Sequence, residues 1–127
     1  VEAPVAKPVM ATVSDLTRVY FDFDSYVLSD VTRATLKQNA MILKATPMLK
    51  VKIEGHCDER GTRDYNIALG ARRANAAKNY LAADGINPAR ITTVSYGKER
   101  PIEICSDEAC YAKNRRAVTV LQMGLAG

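Results

Sequence analysis

Hydrophobic and polar positions alternate first in VYFDFDS, with Val19, Phe21 and Phe23 on one side and Tyr20, Asp22 and Asp24 on the other. A period of two marks a strand with one buried face. The period then changes. Ser29 and Asp30 offer an N-cap ahead of VTRATLKQNAMILKA, where Leu36, Ala40 and Leu43 repeat at helical spacing until Pro47 prevents continuation. Alternation returns in KVKIEGH, with Val51, Ile53 and Gly55 set against Lys52, Glu54 and His56. This second strand runs into the polar loop CDERGT. From Asp64 to Asp84 there is no proline, and Ile67, Gly70, Ala74, Ala77 and Leu81 form a stripe of mostly small residues suited to close packing on a sheet. Gly85 and Pro88 are stop signals.

A third strand is predicted in ITTVSYG, then a loop containing Pro101, a short helix around DEACYAKNRRA and a last strand in AVTVLQ. Helices alternating with strands predict an α+β two-layer sandwich, one sheet with its helices on one face. Ahead of the first strand, Pro4 and Pro8 interrupt a stretch without either periodicity. Residues 1–15 therefore read as a flexible tether and 16–127 as the folded domain.

The length of 127 residues suits one domain, and 47% hydrophobic with 25% charged residues is an ordinary globular composition. No apolar run reaches the roughly 18 residues of a membrane span. The net charge of +4 comes from 18 Lys and Arg against 14 Asp and Glu, interspersed along the chain. Such mild basicity is weak support for nucleic-acid binding, and no aromatic residues are interleaved with a basic stripe. Cys105 and Cys110 stand close together with four residues between them, so one local disulfide with Cys57 left free is favoured over three reduced thiols, in an oxidising compartment. Removing that link should leave ligand binding intact, because the candidate site residues lie in other segments.

His56, Cys57 and Asp58 invite a Cys-His hydrolase, but strand alternation turns His56 and Cys57 to opposite faces, and there is no second His. His56 is expected on the solvent side and Cys57 as a small, partly buried strand-end residue. The same separation speaks against a zinc site built from three Cys and one His, and no metal or cofactor is expected. Asn66 and Arg73, seven apart, share one side of the second helix at the edge of its apolar stripe, with Leu69 and Tyr80. Asp58 lies in the loop leading into that helix. A structural Asp58–Arg73 ion pair or a cap is one reading. The other is a receptor for a zwitterion, Asp58 pairing an ammonium and Arg73 gripping a carboxylate. Arg72 reads as a solvated charge, Arg115 and Arg116 as a basic surface patch or a cap on the short helix, and Gly61 and Gly97 as turn residues.

GHCDERGTRDYNIALGARRANAAKNYL, followed by SYGKERP and KNRRAVTV and preceded by YFDFDS, resembles the OmpA-like peptidoglycan-binding family, in particular its lipoprotein branch that works with the Tol system. The resemblance implies a mixed four-stranded sheet with two main helices and a short third, no enzymatic activity, and a non-covalent anchor to the cell wall. The implied ligand is the diaminopimelate of the peptidoglycan stem peptide, itself a zwitterion at its free end. By resemblance Asp58 and Arg73 hold it, Asn66 and Leu69 line or support the pocket, and Phe23, Asp24 and Ser25 border the stem peptide. TolB and other Tol proteins are the implied partners, in the periplasm. An N-terminal lipid anchor to the outer membrane is implied too, its cysteine absent from this sequence. Within the family, a wall-binding domain from an OmpA-type porin or a motor stator is the alternative.

Overall fold

The structure, a computed structural model, describes residues 15–122, so the predicted tether apart from Asp15 lies outside the described residues. Four strands and three α-helices follow one another: β1 (Val19–Tyr20), α1 (Asp30–Ala45), β2 (Val51–His56), α2 (Arg63–Ala83), β3 (Ile91–Gly97), α3 (Glu108–Asn114) and β4 (Arg116–Leu121), with a 3-10 turn at Pro88–Arg90 ahead of β3. The sheet order is β1-β4-β2-β3, with β2 and β3 parallel and β4 antiparallel to both β2 and β1. This is the predicted two-layer arrangement, with a mixed sheet.

Local chemistry sets the helix boundaries. Ser29 accepts a hydrogen bond from the Thr32 N–H at 3.1 Å to cap α1, and Thr62 does the same for Tyr65 at 3.1 Å on α2. At the far end of α1, Arg90 donates to the carbonyls of Leu43, Thr46 and Leu49, each at 2.8 Å, supplying partners that a helix terminus lacks. The core gathers Leu36 and Leu43 of α1, Ile53 of β2, Leu81 of α2 and Ile91 of β3. Each such side chain contributes about 1.5–3 kcal/mol relative to exposure.

The first strand is shorter than its alternation predicts. Pairing with β4 covers Val19 and Tyr20, and the Phe21 N–H still donates to the Arg115 carbonyl at 3.0 Å. Beyond that, residues 22–25 turn, with the Ser25 N–H on the Asp22 carbonyl at 3.2 Å and Asp24 in the left-handed region at φ 54°. Phe23, expected beside Val19 and Phe21, is consequently exposed.

The small-residue stripe of α2 has a geometric cause. A Cβ placed on Gly55 of β2 would lie 1.8 Å from the Gly70 carbonyl oxygen of α2. Backbone meets backbone here, so nothing flexible can yield. Gly55→Ala should therefore force α2 off the sheet and cost roughly 3 kcal/mol or more, read as a lower urea midpoint; a loss under roughly 0.5 kcal/mol would show that the two elements are not locked at this point.

Candidate ligand-binding site

The close packing of α2 on β2 places Arg73 at the end of the sheet, fully buried. Among the described residues no carboxylate bonds to its guanidinium. Nε donates to the Ser25 carbonyl at 2.8 Å, Nη1 to that of His56 at 2.9 Å and Nη2 to that of Asp22 at 3.0 Å. Three of its five N–H groups are thus used on backbone, and one remains on each terminal nitrogen. Burial pulls the Arg73 pKa below its ordinary value, yet an arginine stays charged. The result is a buried positive charge held by neutral acceptors.

Asp58 is also buried, but Arg73 is not its partner. Its Oδ1 accepts from the Arg60 backbone N–H at 3.0 Å and from Arg60 Nε at 3.2 Å, and its Oδ2 from Arg60 Nη2 at 2.9 Å and Arg115 Nη1 at 3.4 Å. Burial acts to raise the Asp58 pKa, and the hydrogen bonds from Arg60 overcome it, holding the carboxyl below the usual carboxylate value. The Asp58–Arg73 ion pair, one of the two readings of the sequence, is therefore absent, because the side chain two residues along the same loop holds the carboxylate. Arg60 itself is clasped between the rings of Phe23 at 4.0 Å and Tyr111 at 4.3 Å.

Between these two charges lies a cavity of about 220 Å³. Phe23, Asp24, Asp58, Asn66, Leu69 and Arg73, all singled out from the sequence, line it, and Cys57, Arg60, Gly61 and Tyr65 complete the wall. Ser25 does not line it but supplies the carbonyl that takes Arg73 Nε. Asn66 acts as a strut, its Nδ2 donating to the Arg60 carbonyl at 2.8 Å. The Tyr65 hydroxyl donates to Asp24, tying the 22–25 turn to the first turn of α2.

The sequence matches the OmpA family over residues 20–115. The chain belongs to the OmpA family. It is 48% identical over 110 residues to the peptidoglycan-associated lipoprotein of Agrobacterium fabrum, covering 87% of this chain and 62% of that protein. To the protein of the same description from Pasteurella multocida it is 53% identical over 100 residues, covering 79% and 67%. The chain thus spans just under two thirds of the length of the first of these curated relatives. Among solved structures it superposes on the peptidoglycan-associated lipoprotein from Burkholderia pseudomallei with a TM-score of 0.81 at 43% identity, over 95% of this chain and 98% of that one. The C-terminal domain of Helicobacter pylori MotB, at 20% identity, covers 87% of each chain with a TM-score of 0.78 and shares the fold.

Two residues of this OmpA-family domain, Arg116 and His56, sit where the sequence did not put them, whereas Arg115 takes the cap role that was one of its two readings. Arg115 and Arg116 are buried, not a surface patch. Arg115 caps the C-terminus of α3, and its side chain donates to the Phe21 carbonyl at 2.8 Å, to Glu108 at 2.8 Å and to Asp58. Arg116 donates to the carbonyls of Asn114 and Arg100. His56, expected in solvent, is 2% exposed. Alternation correctly points it away from the helices, but Tyr96, its ring centre 5.5 Å away with Arg100 stacked over it, covers that end of the sheet. Cys57 faces the helix layer instead, its thiol donating to the Asn66 carbonyl at 3.3 Å, and burial pushes its pKa up to about 11. Among the described residues no three His, Cys, Asp or Glu side chains converge as metal ligands. Arg60 and Tyr111 were missed. Only the carboxylate two residues before Arg60, a turn signal, could have flagged the first.

Both His56 ring nitrogens are buried without a hydrogen-bond partner. Burial, followed by the nearby charges of Arg116 and Arg100, lowers its pKa from 6.5 to about 4. As pH falls from 6.5 towards 4, the unfolded chain binds a proton at His56 that the folded chain refuses. Stability should decline across that window by on the order of 1–3 kcal/mol and level off below it. His56→Phe should show a smaller loss when urea unfolding is compared at pH 7 and pH 4.5; equal losses in both proteins would mean that His56 carries a proton in the fold.

Proposed function

We propose that this OmpA-family domain binds peptidoglycan without cleaving it, through the diaminopimelate end of the stem peptide. One observation supports the reading most: a buried guanidinium, Arg73, lacks a carboxylate partner and keeps two N–H groups beside a cavity whose other pole is Asp58. A carboxylate from outside completes it with a charge-assisted fork. Asp58 already accepts four hydrogen bonds, so a ligand ammonium takes the place of one donor, the longest contacts being Arg115 Nη1 at 3.4 Å and Arg60 Nε at 3.2 Å. The relatives named as peptidoglycan-associated lipoproteins fit the same reading.

In this reading the domain ties the outer membrane to the wall from the periplasm, with an N-terminal lipid anchor supplying the membrane part and TolB and other Tol proteins as its protein partners. Nucleic acid is not a ligand.

The test is retention on purified peptidoglycan of the diaminopimelate type against the lysine type, since lysine lacks the second carboxylate. The diaminopimelate wall should retain the domain and the lysine wall should not. Asp58→Asn and Arg73→Lys should each weaken binding about ten- to a hundredfold. Lysine is the informative replacement at Arg73, because alanine would also strand the carbonyls of residues 22, 25 and 56 and unsettle the fold. Equal retention on both walls would refute the ligand assignment.

A further inference from the structure

The short helix α3 and the cysteine loop before it lie outside the cavity wall, yet they touch the side chains that hold Asp58. Cys105 and Cys110 are joined, with their Cα atoms 6.1 Å apart. Within the closed loop Asp107 caps α3, accepting from the Cys110 N–H at 2.9 Å. Glu108 accepts from Arg115 at 2.8 Å and from Arg60 Nη2 at 3.4 Å. One turn further, the Tyr111 ring lies 4.3 Å from the Arg60 guanidinium carbon, and its hydroxyl donates to Glu59 at 3.3 Å. A helix of seven residues does not hold itself in water. Its first turn is fixed by the Asp107 cap, by Arg115 on Glu108 and by the covalent link, which ties Cys110 to the loop ahead of it.

We infer that the Cys105–Cys110 disulfide is a positioning element of the binding site: it holds Glu108 and Tyr111 against Arg60, and through them holds Arg60 over Asp58. Closing so few residues removes little entropy from the unfolded chain, so the effect of the link is local. The cavity residues do lie in other segments, as the sequence suggests, and it is through Arg60 that the cysteine loop reaches them. Its effect on affinity rests on the wall-binding reading; the seating of Arg60 on Asp58 does not.

The link is opened in two ways. One is a Cys105→Ser, Cys110→Ser double variant. The other is dithiothreitol, whose first thiolate attacks one cysteine sulfur and whose second displaces the mixed disulfide, leaving two protein thiols and the cyclic disulfide of the reagent. In the opened protein the Asp58 carboxyl, followed by carbon NMR against pH, should titrate higher than in the closed protein, because burial persists while Arg60 is held less firmly. Affinity for a soluble diaminopimelate muropeptide, by calorimetry, should fall about three- to tenfold. In a Glu108→Gln, Tyr111→Leu background, opening the link should change neither readout, which a general loss of stability would not reproduce. An unchanged Asp58 titration, an equal effect in that background, or global unfolding on opening overturns the inference. A wild-type chain that ignores the muropeptide while Asp58 still shifts on opening would sink the ligand reading alone and uphold the positioning role.

Discussion

Everything at the cavity end of this domain depends on where one buried charge finds its partners. Arg73 leaves water completely, which would cost several kcal/mol if its N–H groups went unmet. It meets three backbone carbonyls, two from the 22–25 turn and one from the end of β2. Those carbonyls belong to segments far apart in sequence, so the guanidinium binds the β1–α1 turn, the last residue of β2 and the middle of α2 into one corner. The turn then carries Phe23 and Asp24 to the cavity, and the strand end carries Cys57 and Asp58.

That corner exists only because α2 can approach the sheet without side chains in between. Gly55 and Gly70 bring the two backbones together, and Ala74 and Ala77 continue the close contact below. A bulkier pair would lift the helix and carry the Arg73 guanidinium away from the His56 carbonyl, which it now reaches at 2.9 Å. Packing in the core and charge placement at the site are therefore one constraint expressed at two heights of the same helix.

Much of this could be read from the chain. The strands and helices announced themselves through their periods and caps, and the seven-residue spacing of Asn66 and Arg73 placed both at the edge of the core. What stayed hidden was pairing. Periodicity says which face a side chain takes but not whether something covers that face, which is why His56 was expected in water although Tyr96 packs beside it with Arg100 on the Tyr96 ring. Nor does it say which of several arginines reaches a given carboxylate. Asp58 is served by Arg60 from its own loop and by Arg115 from the C-cap of α3, 57 residues away. Phe23 failed for a related reason: the alternation of VYFDFDS continues on paper past the point where the carbonyls of residues 22 and 25 are drawn to Arg73 and the backbone turns.

The two poles of the cavity are built in opposite ways, and this bears on the kind of molecule they suit. Asp58 has its full complement of donors, supplied by two guanidinium groups and a backbone N–H, so its charge is already balanced. Arg73 has only neutral acceptors, so its charge is not. An incoming anion gains a new interaction at Arg73, whereas an incoming cation at Asp58 only exchanges with one already made. For the proposed ligand, the carboxylate contact is an added interaction and the ammonium contact an exchange. A ligand bearing only an ammonium competes with Arg60 for nothing in return; one bearing both groups gains at one pole what it must exchange at the other.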